Sequence, residues 1–212
     1  MNPIREAYLE AAASVVTLLR SPTVAASWTA PSALADFDVN GLAGHLAWQV
    51  LCVPRALAAE TSGEAPISLD EHYARAPWLD AGIDHESNVG IRSLAGGLAA
   101  DGVDDLAART EAALAQLRDA LPAEAPDRSV APPWVTWSLT LDDLLITRMM
   151  EIAVHNDDLA VSVGMPTPEL PPTVLDPVFD LLTRLAIRRH GPTAVLRALS
   201  RAERAPETIS AF

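Results

Sequence analysis

The segment that most constrains the fold is Thr140 to Gly164, TLDDLLITRMMEIAVHNDDLAVSVG. Thr140 with Asp143 three residues on predicts a capping-box-like start, and Gly164 predicts the end of one long helix. Met149, Ile152, Val154, Leu159 and Val161 predict that much of this helix is buried. Yet it carries Glu151 and His155 four residues apart, just over one turn, so both side chains leave it on nearly the same face. Burying an acid and an imidazole without a partner is costly. A metal ion is one partner that meets the need, and a core hydrogen bond is the other.

A long apolar helix needs other helices to cover it. The chain has 212 residues, enough for one large domain or one domain with an appendage. Alanine and leucine are abundant, aromatics make up only 5%, and β-branched runs are short, which predicts an all-α bundle. A net charge of −13 argues against a nucleic-acid partner, because binding phosphates needs a basic surface. The one cysteine, Cys52, excludes an internal disulfide and a Cys-rich zinc site, and reads as a small buried apolar residue. The first residues, MNPIREAYLEAAASVVTLL, are interrupted by Arg5, Glu6 and Glu10 and do not read as a signal peptide. No run of ~18 uninterrupted apolar residues occurs. A cytoplasmic globular protein with no membrane partner is the expectation.

In chain order, Asn2-Pro3 predicts the cap and first turn of a helix whose stripe is Ile4, Tyr8, Ala11, Val15, Leu18 and Leu19. Residues 21–36, with Pro22, Trp28 and Pro31, predict a loop with a short turn of helix. Asp38 caps a second helix from Val39 to about Ala59, with Pro54 as a candidate kink and His45 on the inward Leu42–Leu46–Gln49 side. Residues 61–82 read as an excursion over the surface, with His72 and Trp78 as candidate covers. A third helical region, from Asp84–Ser87 to Leu121, breaks near Gly102, and Asp104 caps its second piece, striped by Leu106, Ala113, Leu114 and Leu117. Residues 122–138, with Trp134 and Trp137, form an extended crossover into the Thr140 helix. A fifth helix spans Thr173–His190, with Leu175, Val178, Phe179, Leu182, Leu185 and Ala186 on one side, and a short last helix covers Thr193–Glu203. The organisation expected is a helical bundle over residues 1–165 and a C-terminal helical extension over 166–212, the latter packing in cis or forming a homodimer contact.

Three residues qualify as metal ligands: His45 on the second helix, and Glu151 and His155 on the Thr140 helix. Two histidines and a carboxylate are a common catalytic zinc set that leaves a position open, and nitrogen and oxygen ligands without thiolate also suit nickel, iron or manganese. Asp158, three residues after His155, is placed to accept the second imidazole N–H or to orient water. Arg148, at i−3 from Glu151, is placed to meet an anionic substrate group. The plainer alternatives are a hydrogen-bonded core histidine, a solvated arginine and a simple salt-bridge aspartate. His72, His85 and His190 read as surface histidines, and the tryptophans as core or pocket wall.

Two stretches carry a resemblance. DFDVNGLAGHLA resembles the second-helix signature of the DinB-like bundle superfamily, in which a loop leads into a helix with an inward histidine. RMMEIAVHNDDLAVSVG resembles its companion: Arg, then Glu, then His four residues on, then Asp three beyond. With the Trp28 loop, they are most similar to the N-terminal domain of the mycothiol-dependent maleylpyruvate isomerase family. The resemblance covers roughly residues 1–165. It implies a DinB-like four-helix bundle in which His45, Glu151 and His155 hold a divalent metal, zinc first and nickel second. It further implies a low-molecular-weight thiol, mycothiol in an actinobacterial setting, and a small-molecule substrate. S-transfer or isomerisation is the reaction class implied, with a non-catalytic binding protein or a metal-dependent hydrolase as alternatives. Because only residues 166–212 follow the bundle, the resemblance speaks to the metal site more than to the maleylpyruvate reaction itself.

Overall fold

The computed structural model describes residues 2–60, 63–76, 82 and 84–212. Its first helix, α1 (Pro3–Leu19), opens as its sequence directs: Asn2 Oδ1 accepts from the Ile4 N–H at 2.9 Å, and Pro3 occupies the first turn. A single turn and a half, α2 (Pro22–Ala26), follows within the Trp28 loop. That loop reaches the next helix through backbone bonds from Val39 N to Ala30 O and Asn40 N to Trp28 O, and so sets where α3 (Val39–Ala58) begins. Pro54 lies inside α3.

Next come α4 (Leu69–Arg75), α5 (Glu86–Ala99) and α6 (Val103–Ala120). The break between α5 and α6 falls where the sequence places it, at Gly102, whose φ of +91° is one that other residues rarely adopt. Gly102 itself is the N-cap of α6; Asp104 lies in the first turn, where its charge faces the helix dipole rather than capping it. The crossover from α6 includes a two-residue antiparallel ladder, β1 (Ser129–Val130) with β2 (Leu139–Thr140), which the sequence reading did not anticipate. Thr140 Oγ1 then accepts from the Asp143 N–H at 3.0 Å to start α7 (Leu141–Ser162), and Gly164 follows at φ +68°. The chain closes with α8 (Pro172–His190) and α9 (Pro192–Ser200), separated by Gly191 at φ +83°.

Helices α1, α3, α6 and α7 form the bundle: α1 and α3 each pack on both α6 and α7, which closes the ring around one core. Tyr8, Leu18, Leu42, Leu46, Leu117, Leu144 and Leu145 are fully buried in it. Each such leucine contributes roughly 1.5–3 kcal/mol by leaving water. Arg5 fastens the crossover to the bundle: it pairs with Asp142 at 3.0 Å and donates to the carbonyls of Leu121, Glu124 and Ala125. Around this ring, α5 lies on α3, and α8 lies on α7 and α1.

Several expectations need correction. Residues 69–75 are helical, and His72 and Tyr73 are buried, His72 being only 3% exposed. The surface reading of His72 is therefore wrong: its Nδ1 accepts from Trp137 Nε1 at 2.9 Å, a partner 65 residues away that no local pattern reveals. Trp78 lies outside the described residues. On α8 the buried stripe is Val174, Val178, Leu181 and Leu185, whereas Phe179 is 57% exposed. Val161, expected in the core, is 58% exposed, because only one face of the last turn of α7 meets a neighbour.

Candidate metal centre

His45 leaves α3 one turn before Gln49, and Glu151 and His155 leave α7 one turn apart, so the packing of α3 on α7 brings all three together. Their donor atoms lie within 4.8 Å of one another. Glu151 Oε2 stands 3.5 Å from His45 Nε2 and 3.2 Å from His155 Nε2, and the two rings meet edge to face, at 80° with centroids 4.6 Å apart. Metal–ligand bonds of about 2.0–2.1 Å in a tetrahedral shell place donor atoms about 3.3 Å from each other. The two spacings from Glu151 fit that edge.

The surroundings fit as well. His155 Nδ1 donates to Asp158 Oδ2 at 2.8 Å, which leaves Nε2 as the atom that faces Glu151 and His45. A carboxylate behind a ligating histidine is the usual way to fix tautomer and ring direction. Asp158 thus stands behind the His155 ring, and Ser162, which donates to the Asp158 carbonyl at 2.6 Å, continues the chain of contacts. All three side chains are only partly exposed to solvent.

The protonation of the trio follows from burial and neighbours. Burial disfavours the charged form of His155, but hydrogen bonds from Asp158 and Glu151 outweigh it and push the imidazole up to about 9. Burial likewise works against the Glu151 anion, yet bonds from His155 and His45 hold its carboxyl well below the usual range. His45 is pushed down, chiefly by burial. At neutral pH the protein without metal therefore holds a neutral His45 against a Glu151–imidazolium pair.

A cavity of about 520 Å³ borders His45 and Glu151 of the trio, lined also by Phe37, Trp48, Gln49, Trp134 and Arg148 and, from α5, by residues that include Ser87, Asn88 and Leu94. Arg148 is 8% exposed. Its NH1 donates to Gln49 Oε1 at 2.6 Å and its Nε to Thr147 Oγ1 at 3.1 Å, and the guanidinium lies over Trp134, 5.9 Å from the ring centre. These hydrogen-bond partners are neutral, and no ion pair among the described residues includes Arg148. Gln49 was not singled out in the sequence as part of the site. It lies at i+4 from His45, donates to the His45 carbonyl at 2.9 Å, and so ties Arg148 to the helix that carries the histidine. That spacing was the one signal available for it.

Comparison with known proteins gives a family match. The profile of the mycothiol maleylpyruvate isomerase N-terminal domain matches residues 8–160. The chain belongs to that family. The match spans α1 to nearly the end of α7, and so includes His45, Arg148, Glu151, His155 and Asp158. Neither the characterised proteins nor the solved structures include a match to this chain. The family's membership in the DinB-like superfamily agrees with the all-helical bundle. No described helix is long and apolar enough to cross a membrane.

Proposed function

We propose that this protein is a divalent-metal-dependent enzyme that uses a low-molecular-weight thiol of the mycothiol type for S-transfer to, or isomerisation of, a small anionic molecule. The observation that carries the reading is the opening of a 520 Å³ cavity directly onto His45 and Glu151, beside the buried Arg148, whose hydrogen bonds go to the neutral Gln49 and Thr147. A sealed site would have favoured a purely structural role. His45, Glu151 and His155 would hold the divalent cation, zinc first and nickel second, which when bound would lower the pKa of a thiol or water and so supply a nucleophile at neutral pH.

The chain's own residues supply the rest. His45 Nε2 and His155 Nε2 offer lone pairs and Glu151 offers a negative charge, which offsets part of the cation's and moderates its effect. Asp158 holds the His155 ring in the tautomer that presents Nε2. Arg148, steadied by Gln49 and Thr147, receives the anionic group of the substrate and orients it relative to the trio. Trp48, Trp134 and Phe37 present apolar surface to the same cavity, so a ligand that displaces water against them would strengthen these electrostatic contacts.

Elemental analysis of the untagged protein beside a His45→Ala/His155→Ala variant tests the reading. About one equivalent of zinc or nickel, lost in the folded variant, is the expected result, followed by turnover in a screen of thiol-transfer reactions with mycothiol. Wild-type protein that takes up no metal even on reconstitution would reduce the three residues to a core hydrogen-bond cluster.

A further inference from the structure

Residues 172–212 leave an apolar face uncovered. Five of the eight large apolar side chains exposed among the described residues lie in this segment: Phe179, Ile187, Leu196, Leu199 and Phe212. Helix α8 turns Val174, Val178, Leu181 and Leu185 to the bundle, so its opposite side faces outward. On that side Phe179, Thr183 and Ile187 follow at i, i+4 and i+8, as one stripe. Beside the stripe, α8, α9 and residues 209–211 enclose a hollow of about 240 Å³, lined by Phe179, Leu182, Ala186, Val195, Leu199 and Ile209 among others. On α9, Leu196 and Leu199 are neighbours one turn apart, 66% and 71% exposed. A continuous apolar patch of this kind marks an interaction surface.

Charge decides what can cover it. The chain carries a net −13, so two copies repel over most of their surface. Residues 172–212 are the exception: six arginines stand there against four carboxylates, whereas the rest of the chain has nine arginines against 24 carboxylates. Within α8 the charges are also divided, with Asp176 and Asp180 in the first half and Arg184, Arg188 and Arg189 in the second. Arg184 pairs with Asp180 and Asp70, but Asp176 and Arg189 make no ion pair among the described residues. A twofold axis through Thr183 sets two copies of α8 antiparallel. Phe179 of each copy then meets Ile187 of the other, and the acidic half of each helix lies along the arginine half of its mate. Such a contact uses the same patch on both copies and closes at two. An anionic lipid surface is a poorer match, because the four carboxylates of the segment and the acids around it oppose that approach.

We infer that the outer face of α8 and α9 is a homodimer interface, formed by two copies antiparallel about Thr183. It is separate from His45, Glu151 and His155 on α3 and α7, and so stands independently of the function proposed above.

Sedimentation equilibrium of the full chain at about 5–100 µM, where an interface of standard size assembles, is expected to give twice the chain mass. Phe179→Glu/Leu199→Glu alters two exposed side chains of the hollow. The double variant should weaken dimerisation at least about tenfold, with circular dichroism and metal content unchanged. Thr183→Cys tests the arrangement. The one native cysteine, Cys52, is buried, so oxidation of this variant reports on position 183. A disulfide needs Cα atoms within about 7 Å, so a covalent dimer should form well above the level of Thr17→Cys, an exposed position on α1. Protein that is monomeric at every concentration overturns the inference, and so does a dimer that the double variant leaves intact. A dimer in which Thr183→Cys cross-links no better than Thr17→Cys overturns the antiparallel arrangement. Monomeric protein that sediments with anionic vesicles also overturns it, and assigns the face to a lipid surface. Should the double variant misfold, the wild-type mass and the cross-link decide.

Discussion

At the scale of the residue, Asp158 and His155 make the sharpest predictions. Asp158→Asn keeps the shape but offers His155 a weaker partner, so zinc affinity should fall roughly 10–100-fold. Competition with a chromophoric chelator measures it, while circular dichroism checks that the helices are intact. His155 also sets a pH dependence. Because its imidazole is pushed up to about 9, a proton competes with the metal throughout the neutral range. Metal affinity should therefore weaken about tenfold for each pH unit below that value and level off above it. The metal-free protein behaves in the opposite sense. A folded-state pKa raised above the ordinary histidine value adds stability that is fully present below about 6.5 and is lost as pH rises through about 9. Thermal melts of chelator-treated protein between pH 6 and 9.5 should show a falling Tm. A flat profile would mean that Asp158 and Glu151 do not hold the His155 proton as the geometry implies.

At the scale of the element, α5 forms one wall of the cavity and approaches α3 closely at Gly44. A Cβ on Gly44 would stand 2.1 Å from the Ala95 carbonyl oxygen, a backbone atom that cannot turn aside. Gly44→Ala must then push α5 off α3 immediately beside His45 and alter the far wall of the cavity. We expect it to destabilise the fold by about 1–3 kcal/mol, read in urea denaturation, and to leave zinc stoichiometry unchanged, because His45, Glu151 and His155 stand on α3 and α7 rather than α5. Loss of zinc from the folded variant would contradict this role for α5. Gly41 allows a useful contrast on the same helix, since a Cβ there meets only the Phe37 ring at 3.2 Å, and a side chain can give way.

At the scale of the whole molecule, α8 is the element that decides whether residues 166–212 are an appendage or part of the fold. Val174, Val178, Leu181 and Leu185 belong to the same buried cluster as the bundle, and Arg184 and Arg188 reach Asp70 on α4. One cooperative transition is the expected outcome of thermal unfolding, and Leu181→Ala should cost 2–5 kcal/mol, like other buried leucine truncations. Two separate transitions would show that the extension unfolds by itself. A metal held by His45, Glu151 and His155 would tie α3 to its neighbour α7, so on the proposed reading zinc should raise Tm and chelation lower it, by about 4 kcal/mol of stability at a free concentration a thousandfold above Kd.

Much of this protein is legible along one dimension. The stripe of α1, the cap at Thr140, the break at Gly102 and the Glu151–His155–Asp158 spacing all rest on interactions within a turn or two of helix. Such interactions belong to the sequence whatever surrounds them. The placement of His45 relative to Glu151 came from resemblance, because no local rule relates residues a hundred positions apart. What only the tertiary structure decided are matters of contact between elements. His72 is buried because Trp137 meets it, Phe179 is exposed because α8 turns its Val178 and Leu181 side to α7 and α1, and Gln49 holds Arg148 because α3 and α7 cross where they do. The cavity belongs to this second class. Helical periodicity tells which side of α3 and α5 is apolar, but the space between them is set by how closely two backbones approach, and that distance appears only once Gly44 meets Ala95.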